Sequence, residues 1–157
     1  MNTKNIAEEL LKTGDLTFRR NNRNYRGLLK LNYLMEWDCN SNIFDHPYSE
    51  ESILLANSNK RNYKSPLHFA LRLMAFQREI YSRIELLELC ENTINKSIEK
   101  DDFQKLVKSL SSSWWNKYFD MFSKFPKVTQ IWADWNDVLI VCKNEEEYLC
   151  WNWGTTA

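Results

Sequence analysis

Hydrophobic residues recur at a helical spacing through the first 125 residues and then alternate with polar ones at the spacing of β-strands. In the first part, apolar side chains three and four positions apart share one helix face, as Leu28, Leu31, Leu34 and Met35 do. The segments predicted as helices on this basis are residues 3–13, 25–37, 49–55, 66–98 (as one long helix or two joined by a kink) and 102–125.

Several local signals indicate where these helices begin, bend or end. Gly14 follows the first helix and can adopt the left-handed conformation that ends one. Ser65 and Pro66 predict a helix start, because serine caps free N–H groups and proline in the first turn gives up no hydrogen bond. The serines at 111–113 are expected to bend the last helix before Pro126 ends it.

After residue 126, three segments are rich in β-branched and aromatic residues: TQIWADW, VLIVCK and EYLCWNW. Asn136 and Asp137 predict a tight turn after the first segment, and residues 144–147 separate the second from the third. We therefore predict an α+β fold: a mainly helical body (residues 1–125) with a C-terminal three-stranded antiparallel β-meander (residues 129–153). The length suits a single domain over residues 1–157.

The register of this meander predicts two different faces. A two-residue turn pairs Trp135 with Val138 and Ala133 with Ile140, which builds an apolar face that must cover the helices. The opposite face mixes polar residues with Trp132, Leu139, Val141, Tyr148 and Cys150. A face of this kind is either covered by a further helix or exposed as a docking surface.

Composition and charge limit the functions that this protein can have. A content of 43% hydrophobic and 14% aromatic residues is enough for a core without disulfides or metal. The net charge is zero, yet residues 129–157 carry five acids and only one base, Lys143, so this end has a charge of −4. Three glycines are too few to build a phosphate-binding loop.

The compartment is expected to be the cytoplasm. The N-terminal residues MNTKNIAEELLK lack the apolar run of a signal peptide, and no apolar segment is long enough to span a bilayer. The cysteines at 39, 90, 142 and 150 form no CxxC pair, and two lie in apolar strands, so free and mostly buried thiols are expected.

Candidate chemistry is sparse in this sequence. His68 in the first turn of a helix is a candidate general base, although a structural histidine is the favoured interpretation for both His46 and His68. Asp134 and Asp137 flank one turn and residues 145–147 form the other, at opposite ends of the middle strand, so joint catalysis is not expected. We predict no catalytic site, no metal site and no cofactor.

Arginines at 19, 20, 23 and 26, with Tyr25 among them, are a candidate phosphate-binding stretch. The alternative is a solvated loop whose arginines pair with acids elsewhere, and this alternative is favoured because the net charge is zero. Direct binding of nucleic acid is therefore not expected.

The C-terminal sequence VLIVCKNEEEYLCWNWGTTA, with Tyr148, Trp151 and Trp153 in one strand, closes a helical body with a short aromatic sheet. In this it resembles small bacterial immunity proteins, the cytoplasmic antidotes of contact-dependent growth inhibition and related polymorphic toxin systems. The resemblance implies stoichiometric binding of a cognate toxin domain. An acidic inhibitor of this type can occupy the basic active site of a toxin that attacks nucleic acid.

The main hypothesis is therefore an immunity protein that neutralises a cognate toxin domain, such as a nuclease. The alternatives are an inhibitor of a defence nuclease from a phage or mobile element, a nucleic-acid-associated factor, and a small enzyme using His68. The oligomeric state is left open. The residues predicted to bind the partner are Trp132, Asp134, Asp137, Glu145, Glu146, Glu147 and Tyr148. We expect Trp132→Ala to weaken partner binding more than folding.

Overall fold

The computed structural model describes residues 2–16, 29–38, 43–44 and 50–155, which contain four α-helices and a six-stranded antiparallel sheet. The helices are α1 (Thr3–Thr13), α2 (Pro66–Gln77), α3 (Arg83–Glu91) and α4 (Lys100–Tyr118). The strands are β1 (Tyr33–Trp37), β2 (Glu51–Asn59), β3 (Lys96–Ile98), β4 (Lys127–Asp134), β5 (Asp137–Lys143) and β6 (Glu147–Thr155). The predictions for Cys39, His46, the arginine stretch at 19–26 and the start of the helix predicted over 49–55 lie outside the described residues.

The strands follow the order β1-β2-β6-β5-β4-β3, so the C-terminal meander forms the centre of the sheet. On one side β2 pairs with β6 over its whole length, from Glu51 opposite Thr155 to Asn59 opposite Glu147, and β1 then pairs with β2. On the other side the short β3 pairs with β4. The three predicted strands of the meander are confirmed, and three further strands extend them.

The prediction of a mainly helical body with a three-stranded meander is wrong. Residues 33–37 and 51–55, predicted as parts of helices, lie in strands β1 and β2, and residues 96–98 form β3 instead of ending a long helix. The run Ile53-Leu54-Leu55-Ala56 shows why, since all four side chains are buried, on alternating faces of the sheet. A strand covered on both faces is apolar at every position, and its sequence does not distinguish it from a buried helix.

Both faces of the sheet are covered by helices. On one face, Ile140 and Trp151 belong to a core that α4 completes with Phe103 and Trp114. On the other face, Leu139, Val141 and Cys150 pack with residues of α1, α2 and α3. No helix in the described ranges is both long and apolar enough to cross a membrane.

Local signals predicted the helix ends well where they were strong. The bounds of α1 are confirmed, with Asn2 as the N-cap and Gly14 in the left-handed conformation (φ 79°). Ser65 caps α2 as predicted, and its hydroxyl accepts a hydrogen bond from the His68 backbone N–H. Of the two alternatives for residues 66–98, the structure has two helices, α2 and α3, with Glu79 at a positive φ of 51° between them.

The predicted bend in α4 is confirmed at Ser111, whose backbone leaves the helical conformation (φ −158°, ψ 84°). Its hydroxyl is buried and donates a hydrogen bond of 2.9 Å to the carbonyl oxygen of Ile43. The helix begins at Lys100 after Glu99, two residues before the predicted start at residue 102.

The predicted register of the β4–β5 hairpin is wrong, because the turn lies one residue earlier in the chain than expected. The turn is formed by Trp135 and Asn136, so Ala133 pairs with Val138 and not with Ile140. A register shift between Gln130 and Trp132 then changes the pairing further along β4. As a consequence, Trp135 lies at the tip of the hairpin and not on the apolar face.

Candidate functional site

Two of the residues predicted to contact a partner are buried under helices. Trp132 is 2% exposed and lies beneath the guanidinium of Arg78, which is 5.2 Å from its ring centroid. Tyr148 is equally buried, and its ring stacks on Phe69 of α2 at 5.7 Å. Of the two alternatives for this sheet face, the covering helix is therefore the correct one.

The acidic turn between β5 and β6 lies among basic residues. The carbonyl oxygen of Glu146 accepts a hydrogen bond of 2.8 Å from the Lys60 backbone N–H, which fastens the turn to the end of β2. Together with Arg61 and Lys64, Lys60 lines a hollow of about 640 Å³ beside Glu145 and Glu146. Glu147 pairs across to β2 in the same region. The acids at this end therefore lie near bases from elsewhere in the chain, of which Lys64 is paired with Asp15 at 2.6 Å.

Asp134 and Asp137 lie at the opposite end of β5, roughly 20 Å away at the rise of a β-strand. They form a cross-strand pair beside the hairpin turn. The carboxylate of Asp137 forms an ion pair with Arg78 (2.7 Å) and accepts a hydrogen bond of 2.9 Å from the side-chain amide of Asn152. The predicted partner-binding residues therefore do not form one surface.

A cleft of about 770 Å³ opens at this second end of the sheet. The antiparallel topology brings together the ends of β1 and β6, the starts of β2 and β5, and the C-terminus of α2. The charged residues that line this acidic cleft are Glu36, Asp38, Glu50, Glu51, Asp137 and Arg78. Five acids against one base give its lining a formal charge of −4.

Contacts inside the acidic cleft hold its walls in place. Gln77 donates a hydrogen bond of 2.5 Å to the carboxylate of Glu36, which links α2 to β1. Arg78 is held by Asp137 and by the face of the Trp132 ring. Glu51 is only 4% exposed, whereas Glu36, Asp38 and Glu50 are exposed to solvent.

Trp135 precedes Asn136, a residue that lines this cleft, and is 75% exposed, so the prediction that Trp135 belongs to the core is wrong. Its neighbour Asn136 lines the cleft and accepts a hydrogen bond of 2.9 Å from the Thr155 backbone N–H, which anchors the hairpin tip to β6. Ala133 and Asp134 are exposed as well, so the tip projects beyond the covered part of the sheet.

The sequence prediction missed these acids because Glu36, Glu50 and Glu51 were assigned to helices and Asp38 to a loop. A usable signal was present, since these two acidic pairs flank one loop. If the two flanking segments are paired strands, their acids must lie at the same end of the sheet.

The structural interpretation of His68 is confirmed. Its Nδ1 accepts a hydrogen bond of 2.9 Å from the Lys64 backbone N–H, and Nε2 lies 2.8 Å from the Asp15 carbonyl oxygen, to which it donates. Burial of the ring lowers the pKa of the imidazole below its usual value. The hydrogen bonds of the two ring nitrogens thus link Asp15, after the end of α1, to Lys64, before the start of α2.

Cys90, Cys142 and Cys150 are free and buried, as predicted. Burial raises the pKa of the Cys90 thiol to about 11 and raises the pKa of the Cys142 and Cys150 thiols as well. In the described part of the chain, no three His, Cys, Asp or Glu side chains are arranged to hold a metal ion.

In comparisons with known proteins, no protein-family model, no curated protein and no solved structure matches the chain.

Proposed function

We propose that the protein is an inhibitor of the immunity type, which binds a cognate bacterial toxin domain stoichiometrically in the cytoplasm and blocks its activity. The observation that carries the proposal is the acidic cleft with the exposed Trp135 beside it. Exposed tryptophans are frequent binding hot spots, because a large ring loses much contact with water when a partner covers it. A single exposed apolar residue is common on protein surfaces. The proposal therefore depends equally on the negative charge of the acidic cleft.

The charge of the cleft favours a basic partner. A surface of formal charge −4 raises the encounter rate with a positively charged surface and disfavours nucleic acid, whose phosphates it repels. Toxin domains that cut nucleic acid carry positive charge where the substrate binds. An inhibitor that presents carboxylates and one large aromatic ring is complementary to such a surface.

Co-expression with the product of the gene immediately upstream tests this function. We expect the two proteins to co-elute as a complex with equal numbers of each chain, and we expect cells that make the toxin domain to survive only when this protein is present. If the upstream product neither binds the protein nor is neutralised by it, the proposed function is wrong.

A further inference from the structure

The hollow of about 640 Å³ beside the β5–β6 turn has walls that hydrogen bonds hold in place. One wall is the segment 59–64 at the end of β2, and the other is the turn itself. Within the turn, the side-chain oxygen of Asn144 accepts hydrogen bonds from the backbone N–H groups of Glu146 (2.9 Å) and Glu147 (2.7 Å). The volume lies within the range of small-molecule sites, and walls that are already ordered lower the entropic cost of binding.

A tyrosine hydroxyl without a partner indicates that this hollow takes a ligand. Tyr148 lines the hollow although it is only 2% exposed, and its ring is covered by Phe69. Its hydroxyl forms no hydrogen bond with any residue in the described part of the chain. Burial raises the pKa of this hydroxyl, so the group keeps its proton and can donate it in a hydrogen bond. Because buried tyrosines normally find a partner for the hydroxyl, this donor is available to a ligand atom.

Charges of both signs line the hollow without pairing with one another. The charged residues are Lys60, Arg61, Lys64, Glu145 and Glu146. Lys64 is paired with Asp15 at 2.6 Å, and the Lys60 ammonium group donates a hydrogen bond of 3.4 Å to the carbonyl oxygen of Asn144. Among the described residues, neither the Arg61 guanidinium nor the two glutamate side chains form an ion pair. An anion alone is repelled by the glutamates and a cation alone by the bases, whereas a ligand with both charges can pair with both.

From these observations we propose that the hollow binds a small zwitterion, a molecule with one carboxylate and one ammonium group, as in a free amino acid. The carboxylate accepts a hydrogen bond from the Tyr148 hydroxyl and pairs with Arg61. The ammonium group lies against Glu145 and Glu146. The site is at the opposite end of the sheet from the acidic cleft, so this inference does not depend on the proposed function.

Glycine, 4-aminobutanoate and 6-aminohexanoate are suitable probes for the full chain at low salt, because they hold the two charges at increasing separations. Each is compared with the carboxylate and the amine of the same chain length, such as hexanoate and hexylamine. In protein labelled with ¹³C-tyrosine, the ring signal of Tyr148 is assigned through Tyr148→Phe and followed during each titration. We expect at least one zwitterion to shift this signal saturably and to bind at least about threefold more tightly than its two controls.

Substitutions separate the two ends of the ligand, with affinities measured from the backbone amide signals of the turn. Arg61→Gln should weaken both the zwitterion and the plain carboxylate about threefold, whereas Glu145→Gln/Glu146→Gln should weaken the zwitterion alone. Tyr148→Phe should weaken the zwitterion about fivefold through the loss of one hydrogen bond, with an unchanged urea midpoint. Tyr118→Phe is the matched control, because Tyr118 packs against the core on the other face of the sheet, and it should leave the affinity unchanged.

Three results would overturn the inference. The first is the absence of saturable binding by all three zwitterions. The second is a plain carboxylate or amine that binds as tightly as the zwitterion of the same length, since the hollow would then recognise a single charge. The third is equal affinity of the wild type and Tyr148→Phe, which places the ligand elsewhere. If Tyr148→Phe does not fold, the exposed Arg61 decides, because unchanged affinity in Arg61→Gln contradicts the inference in the same way.

Discussion

Trp132 and Trp135 lie three positions apart in the sequence and occupy opposite environments. Trp132 is sealed between the sheet and α2 under Arg78, whereas Trp135 extends into solvent from the hairpin tip. The sequence pattern predicted the reverse for two reasons. It counted Trp135 as a strand residue, although Trp135 lies in the turn, and it treated the face of Trp132 as a docking surface, although helices cover that face.

Alanine at each position should therefore have opposite effects. Trp132→Ala is expected to lower the free energy of unfolding by about 3–5 kcal/mol, because it opens a cavity in the core. Trp135→Ala should change it by less than about 0.5 kcal/mol and weaken partner binding at least about tenfold. Urea unfolding and calorimetric titration measure the two quantities. A Trp132→Ala protein of wild-type stability would contradict the burial described above.

His68 should make stability depend on pH. Its pKa is lowered in the fold by burial, so the native state binds fewer protons than the unfolded state once the pH falls below the ordinary value near 6.5. Stability is thus complete above that value and decreases as the pH falls through it. We expect the urea midpoint to drop more between about pH 7.5 and 5.5 for the wild type than for His68→Gln. An identical drop in both proteins would exclude His68 as the cause.

At the scale of single elements, the sequence predicted those helix ends that depend only on residues close together in the chain. Gly14 ends α1 and Ser65 starts α2 because caps depend on hydrogen bonds within one turn of the chain. Strands β1 and β2 have no such local signal. Their hydrogen-bond partners include β6, which lies nearly a hundred positions later, and tertiary pairing decides their conformation.

The bend in α4 gives a test at this scale. Ser111→Ala should lower the free energy of unfolding by about 1–2 kcal/mol, because the buried carbonyl oxygen of Ile43 loses its donor. Ser109→Ala is the control, since the hydroxyl of Ser109 is exposed and donates only to Leu106 in the same helix. Chemical denaturation of both variants measures the difference. Equal effects would mean that the Ser111 hydrogen bond does not stabilise the bend.

The acidic cleft is a property of the whole molecule. Its carboxylates come from two segments about a hundred residues apart, and they meet only because β2 inserts between β1 and β6. The sequence identified an acidic C-terminal region but placed the acids of both hairpin turns in one surface. In the folded chain Lys60 and Arg61 lie beside the acids of one turn, and the other turn gains further acids. Charge summed along the sequence predicts neither outcome, because it ignores which segments become neighbours.

The two ends of the sheet can be compared in one binding experiment with the toxin domain encoded upstream. The affinity is measured by calorimetry for the wild type, for Trp135→Ala/Glu50→Gln at the acidic cleft, and for Glu145→Gln/Glu146→Gln at the opposite turn. We expect the first variant to bind at least about tenfold more weakly and the second to bind like the wild type within about twofold. Loss of affinity in the second variant alone would contradict the assignment of the acidic cleft as the binding surface.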